Sequence, residues 1–86
     1  MRIEKKCDRE YFNKILNGEK KFEVRLADEK FKEGDILVLR EWDNRLKEYT
    51  GRTMEKEITY VLKTVDLKFF SEEDIDKYGY IILSLK

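Results

Sequence analysis

The sequence predicts a mainly β domain of the α+β class, in which five or six mostly antiparallel strands curl into a small barrel beside two helices. Three observations support this. Four glycines and the pair Asp43-Asn44 divide the 86 residues into short segments. Apolar residues change from helical spacing before Gly18 to alternation after it. A chain of this length holds one core, so residues 1–86 form one domain, and its sheet best avoids exposed edges by closing.

The N-terminal part is predicted to form a strand, a helix and a second strand. Ile3 starts a short strand, and Asp8 is the predicted N-cap of a helix over residues 9–17. Gly18 ends this helix in the left-handed position. Phe22, Val24 and Leu26 then alternate with charged residues, which is typical of a half-buried strand. The helix residues expected in the core are Tyr11, Phe12, Ile15 and Leu16.

Two further strands are predicted in the middle of the chain. Asp35 is expected to cap a turn at Gly34, and a strand apolar on both faces begins at Ile36 and continues to Trp42. A loop over 43–52 separates it from a long strand over 55–65.

The C-terminal part is predicted to form a short helix and a closing strand. Ser71-Glu72-Glu73-Asp74 resembles a capping box, and Gly79 ends the helix that follows. Residues 80–85 then form a buried strand. Phe69 and Phe70 are expected either to close the barrel as core residues or to cover a binding cleft.

Charge and composition restrict the possible functions. The 19 basic and 19 acidic residues cancel, so no basic field covers the whole protein, and a nucleic-acid site must be a local patch reading a few nucleotides. The chain has no histidine and one cysteine, Cys7, which is expected to be a small buried residue. These counts exclude the usual zinc sites and the Ser-His-Asp or Cys-His centres. We therefore expect no metal and no cofactor.

The environment of the protein is also predicted from composition. No apolar run is long enough to span a bilayer, and the charged N-terminus lacks the apolar stretch of a secretory signal. A cytoplasmic location without membrane partners is expected, which suits a single free cysteine. The high Lys and Glu content and the absence of Gln are typical of thermophile proteins.

Residues 18–25, Gly-Glu-Lys-Lys-Phe-Glu-Val-Arg, fit the pattern G-x-K-x-x-E-x-R. This pattern resembles the signature of the ASCH domain, a relative of the PUA fold. Four further segments are similar to other parts of a small ASCH-like branch, in the same order, and the resemblance covers nearly the whole chain. These segments are 31–37, 39–43, 49–52 and 79–83.

The resemblance implies a PUA-like barrel and an RNA-binding cleft beside the signature strand. One branch of the family removes the acetyl group from N(4)-acetylcytidine, and another member has been proposed as a ribonuclease. In the deacetylase branch the signature lysine and a threonine are catalytic, together with a distant glutamate. Lys20 occupies the lysine position here, but Glu23 stands where that branch has threonine, so its triad is not reproduced.

The signature supplies three candidate site residues. Lys20 either contacts a phosphate or acts as a base if desolvated, or it is one solvated cation in a charged run. Glu23 and Arg25 lie two positions apart on one strand face, where the carboxylate can orient the guanidinium for phosphate recognition or base stacking. The ordinary alternative is a weak surface pair.

Four more candidates lie in the middle of the chain. Arg40 and Trp42 share a strand face and either stack an unpaired base or pack against each other on the exterior. Tyr49 and Arg52 fall in a predicted turn, where they either bind ligand or accompany ordinary turn chemistry around Gly51.

Three functions remain open from the sequence. The leading one is a binding module for RNA or a nucleoside- or nucleotide-like ligand, using Lys20, Glu23, Arg25 and the four mid-chain candidates. The second is a small hydrolase of a modified nucleoside or a ribonuclease, with Lys20 and Glu23 as catalytic residues. The third is a protein-interaction accessory domain. The protein is expected to be a monomer or at most a weak dimer.

Overall fold

The computed structural model describes residues 1–86 and has an open three-stranded sheet at its centre. The strands are β1 (Arg2–Asp8), β2 (Ile36–Asp43) and β3 (Glu48–Glu57), in the order β1-β2-β3. β1 pairs with β2 in parallel, and β2 pairs with β3 antiparallel. The helix α1 (Arg9–Leu16) follows β1 directly and lies on one face of the sheet.

The predicted barrel of five or six mostly antiparallel strands is wrong. The sheet has three strands, one of its two pairings is parallel, and β1 and β3 remain edges. The segments 21–26, 58–65 and 80–85, predicted as strands or parts of strands, form no strand. An alternating pattern favours an extended chain, but a strand also needs a neighbouring strand for its backbone groups, and these segments have none.

The core lies between α1 and the sheet and is small. Only nine of the 86 residues are buried, so few side chains hold the fold together. Cys7 is buried among them, as predicted. The apolar cluster consists of Cys7, Phe12, Leu37, Leu39 and Met54.

Helix α1 confirms the helix predicted over 9–17, but its core residues were only partly predicted. Phe12 is fully buried and Ile15 packs against the cluster. Tyr11 and Leu16 are more than half exposed, so their predicted core positions are wrong. The reason is that the sheet covers only one side of the helix. Asp8 holds the N-cap position, but its side chain makes no capping hydrogen bond.

The hairpin between β2 and β3 replaces most of the loop predicted over 43–52. Asp43 Oδ1 accepts the backbone N–H of Arg45 at 2.8 Å and of Leu46 at 3.1 Å, which closes the turn. β3 therefore begins at Glu48. The register slips between Arg40 and Trp42, opposite Gly51, whose φ of +95° suits glycine.

The C-terminal helix α2 (Glu72–Tyr78) confirms the predicted short helix. Ser71 caps it by accepting the N–H of Asp74 at 3.1 Å. A single 3₁₀ turn, Thr64–Asp66, precedes it. Phe69 and Phe70 are largely exposed, so their predicted core positions are wrong. No helix of the protein has the length and apolar character needed to cross a membrane.

Candidate functional site

The signature segment brings three predicted site residues into contact. Lys20 Nζ lies 3.3 Å from Glu23 Oε1, and Arg25 Nε lies 2.7 Å from Glu23 Oε2. Glu23 therefore holds one cation on each carboxylate oxygen. The side chains are 15%, 20% and 29% exposed for Lys20, Glu23 and Arg25, so the cluster is partly desolvated yet open to a ligand.

Backbone carbonyls fix both cations further. Lys20 Nζ donates to the carbonyl of Phe22 at 2.8 Å, and its ammonium lies 4.7 Å from the centre of the Phe22 ring. Arg25 Nη2 donates to the carbonyl of Lys6, in the edge strand β1, at 2.6 Å. Arg25 Nη1 has no hydrogen-bond partner within the protein, so this nitrogen is free to donate to a ligand.

A polar cleft of about 740 Å³ lies between the signature segment and the β1–α1 junction. Its volume is within the range of small-molecule sites. Lys6, Cys7 and Asp8 line it from β1, while Glu10, Tyr11 and Lys14 line it from α1. The remaining walls are Glu19, Lys20, Phe22, Glu23, Val24 and Arg25.

A second cavity of about 650 Å³, lined by a larger share of hydrophobic residues, borders the same segment. Phe31, Leu37, Leu39 and Ile58 contribute to its lining. Residues 20–25 are thus a wall shared by the polar cleft and this second cavity. The charged cluster belongs to this wall and can be approached from the polar side.

Cys7 lies at the polar cleft but is not suited to act as a nucleophile. Its burial raises the pKa of the thiol, and the negative charge of Glu23 raises it further. Attack requires the thiolate, and a raised pKa lowers the fraction of thiolate at neutral pH. Cys7 therefore acts as part of the core.

A second charge cluster surrounds Glu41, whose side chain is only 1% exposed. Arg52 binds its carboxylate in a bidentate manner, with Nε 2.9 Å from Oε1 and Nη2 2.6 Å from Oε2. The Thr50 hydroxyl also donates to Oε1, and Arg9 Nε lies 3.8 Å from Oε2. These donors, Arg52 first, overcome the opposing effect of burial and lower the pKa of Glu41 to about 2.

The Glu41 cluster joins the sheet to the helix. Arg52 Nη2 donates to Asn13 Oδ1 at 2.8 Å, and its guanidinium lies 5.0 Å from the centre of the Phe12 ring. Arg9 Nη1 lies 3.3 Å from Asp43 Oδ2. Arg9 and Asn13 lie one helical turn apart, on the flank of α1 opposite the polar cleft. The contacts of Arg52 thus stabilise packing, away from the cleft.

The face of the sheet opposite α1 carries a third group of polar and aromatic residues. Lys6 Nζ lies 4.0 Å from the centre of the Trp42 ring, and Arg40 Cζ lies 4.0 Å from that of Tyr49. The two rings meet edge to face at 5.0 Å. Trp42 Nε1 donates to Asn44 Oδ1 at 3.2 Å.

The structure therefore divides the predicted site into three places. Lys20, Glu23 and Arg25 meet at the polar cleft. Arg40, Trp42 and Tyr49 lie on the opposite sheet face, and Arg52 is bound to Glu41. We expected Tyr49 and Arg52 in a turn, and both instead lie within β3.

Sequence reasoning missed several residues of these clusters, among them Lys6 and Glu41. Lys6 lies beside Arg40 only because β1 pairs with β2 in parallel, which no local pattern reveals. Glu41 had a detectable signal: it continues the alternation of the buried Leu37 and Leu39 along β2. A carboxylate at such a position must be buried with partners.

The acidic and sulfur side chains do not form a metal site. No three or more His, Cys, Asp or Glu side chains converge as metal ligands would.

Comparison with known proteins places the chain in a family. Residues 4–85 match the family described as DUF3850, a domain of unknown function, and the chain belongs to this family. It is 38% identical over 63 residues to an uncharacterised 12.9 kDa protein in the GpA 3′ region of Escherichia phage P2. That match covers 73% of this chain and 56% of the phage protein, so it spans little more than half of the relative. No solved structure matches the chain significantly.

Proposed function

We propose that this chain binds a nucleoside- or nucleotide-like ligand, free or at the end of an RNA, in the polar cleft beside residues 20–25. The resemblance of this segment to the ASCH signature is part of the proposal, since RNA binding is the function inferred for that domain. The barrel that this resemblance implies is absent, so the proposal depends on the cleft and its charged wall.

The observation that carries the proposal is the arrangement of two cations on one carboxylate. Glu23 holds both Lys20 and Arg25, so their positions are set before a ligand arrives. Arg25 Nη1 remains free to donate, and a guanidinium is well suited to bind a phosphate. Preorganised donors bind more tightly because less side-chain entropy is lost on binding. The Tyr11 and Phe22 rings at the same cleft provide apolar contact for a base.

The test is binding of cytidine 5′-monophosphate by Arg25→Ala, measured by isothermal titration calorimetry. We expect a loss of about 2 kcal/mol or more, about 30-fold in Kd, because removing Arg25 also leaves Glu23 with one cation fewer. Circular dichroism should show an unchanged fold.

Arg2→Ala is the matched control for this experiment. Arg2 is an exposed arginine that pairs with Glu55 and does not line the polar cleft. Its removal should leave nucleotide binding unchanged. Equal binding by wild type and Arg25→Ala would contradict the proposal, as would equal losses in both variants.

Hydrolysis of a modified nucleoside is a second candidate function. The contact of Lys20 Nζ with Glu23 Oε1 favours it, because it places a carboxylate that can act as a base beside an ammonium that can stabilise negative charge developing on the substrate. In this case Glu23 is a general base, and a neutral amide at this position cannot replace it.

Glu23→Gln separates the two functions. A binding module should lose only a few-fold in affinity, because the amide oxygen still orients one cation. A hydrolase should lose turnover by a factor of roughly 10²–10⁴ while substrate still binds. The assay is hydrolysis and binding of N(4)-acetylcytidine by both proteins, and absence of turnover by wild type excludes hydrolysis of this substrate.

A further inference from the structure

We propose that the sheet face opposite α1 carries a second site, which binds phosphodiester groups of single-stranded RNA through Lys6 and Arg40. This inference rests on the proposed function and extends it from one nucleotide in the polar cleft to a short chain that leaves the cleft. The site is formed by Lys6, Arg40, Trp42 and Tyr49, called the open-face patch below.

The two cations of the open-face patch have no anionic partner. Neither Lys6 nor Arg40 forms a salt bridge, and neither side chain donates a hydrogen bond within the protein. In contrast, Arg9, Arg25 and Arg52 are each bound to a carboxylate. The patch is therefore locally positive although the chain has no net charge.

The aromatic rings hold these cations in place without using their hydrogen-bond donors. Arg40 lies over Tyr49 and Lys6 lies over Trp42, both at 4.0 Å. A guanidinium resting on a ring keeps its N–H edge available for bidentate contact with a phosphate. Because the cations cover one face of each ring, the patch favours phosphate contact over stacking of a base.

No carboxylate of this sheet face forms a salt bridge with Lys6 or Arg40, and this includes Asp8, which aligns with Trp42 beside Lys6. Glu55 is bound to Arg2. Glu4 and Glu55 both align with Val38, two residues before Arg40 on β2, whereas Lys6 aligns with Arg40 itself. Lys6 and Arg40 are thus neighbours on adjacent strands, about 5 Å apart at the backbone. Two cations at this spacing can contact one phosphate or two successive phosphates.

The open-face patch begins at the rim of the polar cleft. Lys6 lines the cleft, and its carbonyl accepts a hydrogen bond from Arg25. From Lys6 the patch crosses β2 to Tyr49 on β3, a distance of roughly 10 Å at the usual strand spacing. An RNA whose terminal nucleotide occupies the cleft can therefore place its next phosphates on this face.

The experiment compares two ligands on the same variants. Wild type, Arg40→Gln and Lys6→Gln are titrated with cytidine 5′-monophosphate and with a single-stranded RNA of eight nucleotides. Each substitution should weaken RNA binding roughly 5- to 10-fold. Arg40→Gln, which lies outside the cleft, should in addition leave mononucleotide binding unchanged. The slope of log K against log salt for the RNA should become shallower by about 0.7 for each phosphate that the variant no longer neutralises.

Trp42 provides a direct reporter, because it is the only tryptophan of the chain and lies in the open-face patch. RNA should change its fluorescence, whereas the mononucleotide should not. Arg2→Gln is the control, since Arg2 lies on the same sheet face but is already paired with Glu55. It should bind RNA as wild type does.

Three outcomes would overturn this inference. They are RNA affinity unchanged in both patch variants, Trp42 emission unaffected by RNA, or equally strong binding of polyglutamate at this face, which would indicate an acidic protein partner. If mononucleotide binding still depends on Arg25 in these cases, the proposed function stands and only the second site fails. If wild type binds no mononucleotide, the proposed function is wrong, and the inference of a second site, which rests on it, is wrong as well.

Discussion

Glu23 and Glu41 are each bound by two cationic side chains, yet they occupy different environments. The side chain of Glu41 is 1% exposed and that of Glu23 is 20% exposed. Glu41 accepts from Arg52 through both oxygens and also from Thr50, so its hydrogen-bonding capacity is used within the protein. Glu23 orients two cations that still face a cleft. The difference indicates that Glu41 stabilises the fold, whereas the Glu23 cluster remains accessible for the ligand binding that we propose.

The lowered pKa of Glu41 agrees with a role in stabilising the fold. A carboxylate that is buried without partners has a raised pKa, but the donors around Glu41 lower it to about 2. Its charge is therefore maintained by the folded state and is linked to folding. Matched substitutions of Glu41 and Glu23 can show whether only one of the two carboxylates contributes to the free energy of unfolding.

The largest effect is expected for Glu41→Gln. The amide keeps the volume but removes the charge that Arg52 and Arg9 contact, so the free energy of unfolding should fall by about 3 kcal/mol. Urea unfolding followed by far-UV circular dichroism measures this change. A loss below about 1 kcal/mol would show that the Glu41 cluster contributes no more to the free energy of unfolding than an exposed ion pair does. Glu41 and Glu23 would then not differ in how they stabilise the fold.

Acid should remove the same stabilisation in the wild type. The folded-state pKa of Glu41 is below its ordinary value of 4.5, so its contribution is present above pH 4.5 and disappears as the pH falls towards 2. Of about 3 kcal/mol at neutral pH, roughly 2 kcal/mol should be lost between pH 7 and pH 3. Unfolding curves across this range should be less pH-dependent for Glu41→Gln than for wild type.

A smaller effect on stability is expected for Glu23→Gln. Glu23 lies in a partly exposed cluster, and the amide oxygen can still accept from Arg25, so the unfolding free energy should change by less than about 1 kcal/mol. The same urea titration measures it. A loss equal to that of Glu41→Gln would mean that the signature segment stabilises the fold and is not a ready binding site.

The smallest effect is expected for Arg2→Gln. Arg2 and Glu55 are both more than half exposed, so solvent screens their interaction. The midpoint of urea unfolding should not change measurably. A clear shift would indicate that exposed pairs matter in a protein with only nine buried residues, and the contrast between buried and exposed clusters would weaken.

Local structure was predicted best where short-range interactions determine it. Helix α1 and helix α2 were both expected, because the spacing of Phe12 and Ile15 and the cap at Ser71 act within one or two turns. The strand β2 was also expected from its apolar run. The barrel was not correctly predicted, because closure depends on which distant segments pair, and alternation at residues 21–26 or 80–85 does not specify a partner.

The candidate site shows the same difference between features set by the local sequence and features set by the pairing of distant segments. The sequence alone restricted any chemistry to Lys, Arg, Asp, Glu, Ser, Thr and Tyr, since histidine is absent and there is a single cysteine. It also showed that Lys20, Glu23 and Arg25 are close enough in the chain to meet. Only the tertiary structure decided that Arg52 binds the buried Glu41 and that Lys6 lies beside Arg40. Those pairs are 11 and 34 positions apart, and strand register, set by packing of the whole sheet against α1, brings them together.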